Sequence, residues 1–200
     1  GTGAYRVHVD PDEDRVLAGY LCGDSVCTSS GDADLFDVVQ GQILDLGNLA
    51  LPTAAVIEGH AYELDTGRVL DRIYITALPE DESLSSRLAI SDETGAFRLA
   101  PLVPGTYTLQ AEPYRYCFDD PGWVTWYSGD ERRLVDAQVI HVAEGAVFEL
   151  DVRLPRDVDG DSMDDAWELR HFLEPLRDDS LEDPDLDGVA NLDEYLESTD

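Results

Sequence analysis

The sequence predicts a mainly β protein: an antiparallel β-sandwich followed by a small loop-helix module. Three observations carry this. Residues 53–155 read as short strand-like runs, with β-branched and aromatic residues between Gly, Pro and Asp turns. Residues 1–52 repeat the second half of that pattern. After Pro155 the strand patterning stops and acids dominate, with 17 Asp and Glu against three Arg over 156–200, or −14 of the net −31.

Taken in chain order, "GDSV" between Cys22 and Cys27 reads as a hairpin tip, and the two cysteines could form a short-loop disulfide. Cys117 is then the odd cysteine, buried as a small hydrophobe or paired between chains. "AVIEGHAYEL" alternates Val56, His60, Tyr62 and Leu64 on one face, with Glu58 among them, and "DTGR" supplies a turn at Gly67. "RIYITAL" is a strand. "RLAISDETGAFRLAPL" reads as a hairpin around Asp92–Gly95. "PGTYTLQAEP" alternates Tyr107, Leu109 and Ala111, and "AQVIHVAEGAVFELDVRLP" reads as a last hairpin turning at Glu144 and Gly145.

"GAYRVHVDP" (3–11) aligns with "GTYTLQAEP" (105–113), "GYLCGDS" with "GWVTWYS", and "VVQGQILDLGNLALP" with "HVAEGAVFELDVRLP". Residues 1–52 are therefore expected to be the second half of a sandwich repeat, residues 53–155 a complete one and residues 156–200 a separate module. Half a sandwich exposes an apolar face and unpaired edges. Neighbouring repeats, identical subunits or missing upstream sequence are expected to complete it by strand sharing.

The balance of 13 basic against 44 acidic residues repels nucleic acid and anionic membranes. No apolar run reaches the roughly 18 residues that span a bilayer. The opening "GTGAYRVHVD" has no charged and apolar signal regions, so a secretory signal would lie upstream.

Within 156–200, Trp167, Leu169, Phe172 and Leu173 form a loose apolar helical face that Pro175 is expected to close, and Leu192, Tyr195 and Leu196 form a second. Each expected helix follows an acidic loop. Calcium takes about six to eight oxygens, and a loop of about twelve residues supplies them from positions one, three, five, seven (a carbonyl), nine and twelve. Read from Asp157, "DVDGDSMDDAWE" places Asp159, Asp161, Met163, Asp165 and Glu168 at those positions. Read from Asp183, "DPDLDGVANLDE" places Asp185, Asp187, Val189, Asn191 and Glu194 there. The pattern predicts two Ca2+ sites. Gly188 sits at position six of the second loop, where the chain turns sharply, and Ser162 at position six of the first. The first site is therefore expected to be weaker, or to turn differently. No full helix precedes either loop, which favours a structural clip of about 0.1–1 mM affinity over a sensor.

At these residues the chain resembles known families. "DVDGDSMDDAWE" with "DPDLDGVANLDEY" resembles the dockerin-like and thrombospondin type 3-like calcium repeats of secreted bacterial proteins, which are EF-hand-like. "IEGHAYELDTGRVL" with "SDETGAFRLAPLVPGTYTL" resembles the carboxypeptidase regulatory-like domain over about 56–154. That resemblance implies an Ig-like, transthyretin-like β-sandwich without an active site. Together they imply a non-enzymatic, calcium-stabilised structural or adhesive segment of a bacterial surface protein or filament, secreted and extracellular. The alternative is a calcium-dependent docking module that holds a protein partner through 156–200, on helix faces bearing Arg170, His171 and Glu197. Other chemistry is poorly supported. Gly23-Asp24-Ser25 lacks the strand-to-helix elbow of a serine hydrolase. His8, His60, His141 and His171 share no ligand spacing. Trp123, Trp126 and Tyr127 suit a core better than a sugar platform.

Overall fold

The computed structural model describes residues 3–10, 16–22, 25–27, 30–41, 43–47, 51–114 and 122–198. The protein is mainly β. The N-terminal segment contains β1 (Gly3–Tyr5), β2 (His8–Val9), β3 (Gly19–Cys22), β4 (Ser25–Cys27) and β5 (Phe36–Val38). β1 pairs with β5, while β2, β3 and β4 form a separate three-stranded sheet. Cys22 and Cys27 are joined by a disulfide across the β3–β4 hairpin. Cys117 lies outside the described residues. In this segment only Leu21 and Ala33 are buried apolar residues among those described, whereas Ile43 (97 % exposed), Leu35 and Tyr5 face solvent.

The sandwich is built from β6 (Ala55–Glu63), β7 (Ile73–Pro79), β8 (Arg87–Ile90), β9 (Ala96–Leu102), β10 (Gly105–Pro113), β11 (Gly122–Trp123), β12 (Trp126–Tyr127), β13 (Ile140–Val142), β14 (Val147–Glu149) and β15 (Val152–Leu154). One sheet has the order β12-β10-β7-β8, with β13 also on β10. The other centres on β6, between β9 and the β14/β15 pair. The layers close on one core that includes Ile57, Ile75, Leu99, Tyr107, Leu109, Val152 and Leu154. Tyr107, Leu109 and Ala111 point inward as their alternation predicts.

Three details differ from the sequence expectation. On β6 the inward face is Ala55, Ile57, Ala61 and Glu63, while His60 is exposed. The reason is close backbone approach: a Cβ on Gly59 would lie 2.0 Å from the Leu150 carbonyl oxygen, so small residues occupy the packed face. Second, β8 and β9 are not a ladder-paired hairpin. Asp92 makes the tight turn, but β8 pairs with β7 and β9 pairs with β6, so the chain arches between sheets. Third, Gly145 (φ +67°) also turns between layers: β13 joins β10, and β14 and β15 then run parallel to β6. Turn chemistry is local, whereas the sheet a strand joins is decided by which face it buries.

The C-terminal module begins with β16 (Arg156–Asp157), which pairs with β11, and contains α1 (Asp165–Arg170) and α2 (Asn191–Glu197). No described helix is long and apolar enough to cross a membrane.

Candidate metal centre

The first loop starts on a sheet. Gly122 faces Asp157 across the β11–β16 pair so closely that a Cβ there would come 2.8 Å from the Asp157 carbonyl oxygen. From this anchor the acidic side chains fold the loop around themselves. Asp157 Oδ1 accepts from Gly160 N (2.7 Å) and Oδ2 from Ser162 N (3.1 Å). Asp159 Oδ1 accepts from Asp161 N (3.3 Å), and Asp161 Oδ1 from Met163 N (2.9 Å). The second loop repeats the scheme. Asp183 Oδ2 accepts from Gly188 N (3.0 Å), Asp185 Oδ1 from Asp187 N (3.1 Å) and Asp187 Oδ1 from Val189 N (2.9 Å).

Both loops turn left-handed at positions four and six: Gly160 (φ +82°) and Ser162 (φ +79°) in the first, Leu186 (φ +64°) and Gly188 (φ +96°) in the second. Each loop therefore carries one glycine and one strained L-residue. Ser162 does not make the first loop turn differently. The second loop carries its own strain at Leu186, which the sequence reading missed.

Each helix begins at loop position nine, Asp165 or Asn191, and carries the terminal Glu, Glu168 or Glu194, as its fourth residue. α1 is capped by Asp164, whose Oδ1 accepts from Trp167 N at 2.8 Å. It ends at Arg170, before Pro175. Phe172 turns left-handed (φ +63°), and Leu173 N reaches back to the Glu168 carbonyl at 2.8 Å, so a C-terminal cap rather than the proline stops it. Leu169 and Phe172 consequently face solvent, and Trp167 turns inward. Met163, Trp167, Tyr195 and Val124 of the sandwich form a second core, with Leu173, Leu192 and Leu196 against it. Trp167 meets Tyr195 edge-on at 5.2 Å.

Carboxylate oxygens of Asp157, Asp159 and Asp161 lie within 4.8 Å of one another, as do those of Asp183, Asp185 and Asp187. A third group joins Asp161 and Glu168 to Asp179, a residue the loop pattern did not select. Asp165, expected at position nine, faces elsewhere: its Oδ1 accepts from Val158 N (2.9 Å), and its Oδ2 lies 3.6 Å from Arg156 Nε. Asn191 is buried, and its Nδ2 donates to the Asp179 carbonyl oxygen at 2.8 Å. Glu194 lies outside the tight Asp183 group but feels the charges of Asp185, Asp187 and Asp183. With burial as the larger cause, they raise its carboxyl above the usual range.

The first cluster is deeply buried. Glu168 is 0 % exposed, Asp179 2 %, Asp157 4 % and Asp161 7 %. Neither Glu168 oxygen has a hydrogen-bond partner among the described residues, nor do Asp159 Oδ2, Asp161 Oδ2, Asp179 Oδ1 and Asp183 Oδ1. Burial, then the charges of Asp161, Asp159, Asp179 and Asp165, push the Glu168 carboxyl up to about 8. Burial and neighbouring acids push Asp161 up to about 6. Buried carboxylates of one sign without donors are costly unless a cation neutralises them. The donors are all carboxylate, with no thiol or imidazole in the three groups, which is a hard-cation set.

The other candidate residues are placed as follows. Trp123 and Trp126 are buried in the sandwich core, and Trp126 Nε1 donates to Asp130, so they form no open sugar platform. Gly23 and Asp24 lie outside the described residues. His171 stacks on Trp167 at 4.3 Å, and Arg170 is exposed beside it.

The fold and site together define a β-sandwich that carries a pair of carboxylate-rich loop-helix units. No protein-family model matches the chain, and no curated protein sequence does. The dockerin-like, thrombospondin type 3-like and carboxypeptidase regulatory-like resemblances thus have no family model behind them. Solved structures are similar only in part. A Bacteroides uniformis protein described as carbohydrate-binding is 14 % identical with a TM-score of 0.36, over 52 % of this chain and 42 % of that one. The group B streptococcus pilus 2b backbone protein is 13 % identical with a TM-score of 0.32, over 61 % and 47 %. The chain spans less than half the length of either. Likenesses of this order carry no argument about what the chain binds or builds.

Proposed function

We propose that the chain is a calcium-stabilised, non-catalytic structural or adhesive segment of an extracellular surface protein. Calcium neutralises the carboxylates of both loops and fixes residues 156–200 against the end of the sandwich, making a stiff joint. The observation that carries this reading is Glu168: a fully buried carboxylate, both oxygens without a donor among the described residues, facing Asp161 and Asp179. The first ion is assigned to Asp157, Asp159, Asp161 and Glu168 with the Met163 carbonyl, and the second to Asp183, Asp185, Asp187 and Glu194 with the Val189 carbonyl. The first site is the more buried of the two, which favours tighter binding there, whereas Ser162 at its sixth position favours weaker binding. An extracellular setting supplies millimolar calcium and suits the Cys22–Cys27 disulfide. The exposed apolar residues Tyr5, Leu35 and Ile43 are what a neighbouring repeat or second copy would cover.

A second reading rests on the module's outer surface, where Leu169, Phe172, Leu176, Leu181 and Leu186 are all exposed. That surface suits calcium-dependent docking of a protein partner, which would require residues 156–200.

Calorimetric titration of the metal-free chain with calcium tests the leading reading. Two ions per chain are expected. Heats of dilution alone up to several millimolar calcium would end it.

A further inference from the structure

Asp179 sits on the connector between the two loops, outside both twelve-residue patterns. We infer that Asp179 is a ligand of the ion held by the first loop, and that through it the second loop's helix controls the first site. This rests on the calcium reading above and deepens it.

The carboxylate of Asp179 is divided between two tasks. Its Oδ2 lies 3.2 Å from Arg177 Nη2, and Arg177 is also held by Glu174 and Glu182. Its Oδ1 has no hydrogen-bond partner among the described residues, and one of its carboxylate oxygens lies within 4.8 Å of carboxylate oxygens of Asp161 and Glu168. The residue is 2 % exposed, so bulk solvent does not reach that oxygen. Arg177 neutralises the outer oxygen only. A buried carboxylate with one unpartnered oxygen, grouped with two other buried carboxylates, is explained by a shared cation. The first loop also needs this donor, because Asp165, at its ninth position, is turned to Val158 N and Arg156.

The position of Asp179 is set from α2. Asn191 Nδ2 donates to the Asp179 carbonyl oxygen (2.8 Å), Asn191 N to Glu182 O (2.9 Å) and Leu192 N to Ser180 O (3.0 Å). Asp178 caps the same turn through Ser180. Asn191 and Leu192 open the helix that the second loop feeds. An ion that orders the second loop therefore orders Asp179, and the two sites bind with positive, reciprocal coupling.

The test uses the full chain and calcium alone, with Asp179→Asn beside two comparators. Glu197→Gln removes the same charge from an exposed residue at the end of α2, and Glu168→Gln removes a first-loop ligand. Calorimetry and thermal unfolding are run on each, with and without calcium. Asp179→Asn should weaken one of the two sites at least about tenfold, as Glu168→Gln does, and Glu197→Gln should leave both within about threefold. Without metal, Asp179→Asn should melt at or above the wild-type temperature, since a repelling charge has gone. The inference is overturned if Asp179→Asn binds calcium as Glu197→Gln does. It is also overturned if the variant loses equal stability with and without calcium, or unfolds without metal, because Asp179 is then only a structural support. Absence of calcium binding by the wild-type chain would instead strike the reading beneath it.

Discussion

The guanidinium of Arg132 lies 4.1 Å from the centre of the Tyr195 ring, and the same side chain donates to the Tyr195 carbonyl oxygen. Arg132 follows the sandwich strand β12, and Tyr195 is the buried centre of α2. With Val124 in the second core and β16 paired to β11, this contact ties the module to the sandwich.

Arg132→Ala should therefore loosen the joint. Loss of the cation–π contact and hydrogen bond is worth about 1–2 kcal/mol. Limited proteolysis in calcium should cut faster near residues 155–160 in the variant, while spectroscopic strand content stays unchanged. Equal cutting rates would mean that the joint does not depend on this residue.

Glu168→Gln should separate the two metal states. Removing a buried carboxyl that the fold makes costly to ionise should raise the metal-free melting temperature, while loss of an ion ligand should shrink the calcium-dependent gain. Paired melts with calcium and with chelator check both signs at once. A variant that loses stability equally in both states would point to packing alone.

The left-handed residues give a prediction for each loop. Ser162→Gly and Leu186→Gly should each stabilise the chain by about 0.5–1 kcal/mol, the left-handed strain less the added chain entropy. Chemical denaturation in calcium measures this. Both loops should respond similarly, because each already holds one glycine at its other turning position.

Glu63 sets an acid limit on the sandwich itself. It is 5 % exposed, and Thr66 Oγ1 (2.7 Å) and Arg68 Nε (3.1 Å) both donate to it. The Thr66 hydrogen bond, then that from Arg68, hold its carboxyl below the usual range against the opposing effect of burial. The folded state therefore binds this proton less readily than the unfolded chain. The stabilisation is fully present above pH of about 4.5 and is lost as pH falls through the lowered folded value. Glu63→Gln should destabilise at pH 7 and make stability less steep below pH 4.5, as read from denaturant midpoints across pH.

Much of the site is legible in the sequence because its geometry is local. In Asp-x-Asp-x-Asp the second and third carboxylates each accept from a backbone N–H two residues on, as Asp161 does from Met163 and Asp187 from Val189, while the first reaches three to five residues on. Asp179 was not legible. It lies 18 residues beyond Asp161, in a connector with no periodicity, and only folding brings it to Glu168. The same distinction runs through the sandwich. The turns at Asp92 and Gly145 are written in their residues, yet the strands they join enter opposite sheets. The inward face of β6 was misread because Ala55, Ala61 and Gly59 are too small to register as core, although close packing requires them.

The most direct measurement is thermal unfolding of the intact chain at neutral pH, in about 10 mM calcium and in chelator. For sites of about 0.1–1 mM affinity, each bound ion should add roughly 1.4–2.7 kcal/mol, a rise of several degrees in Tm that Glu168→Gln reduces. Superimposable melts in calcium and chelator would contradict the account, and would leave the buried carboxylates of Asp161, Glu168 and Asp179 without the cation assigned to them.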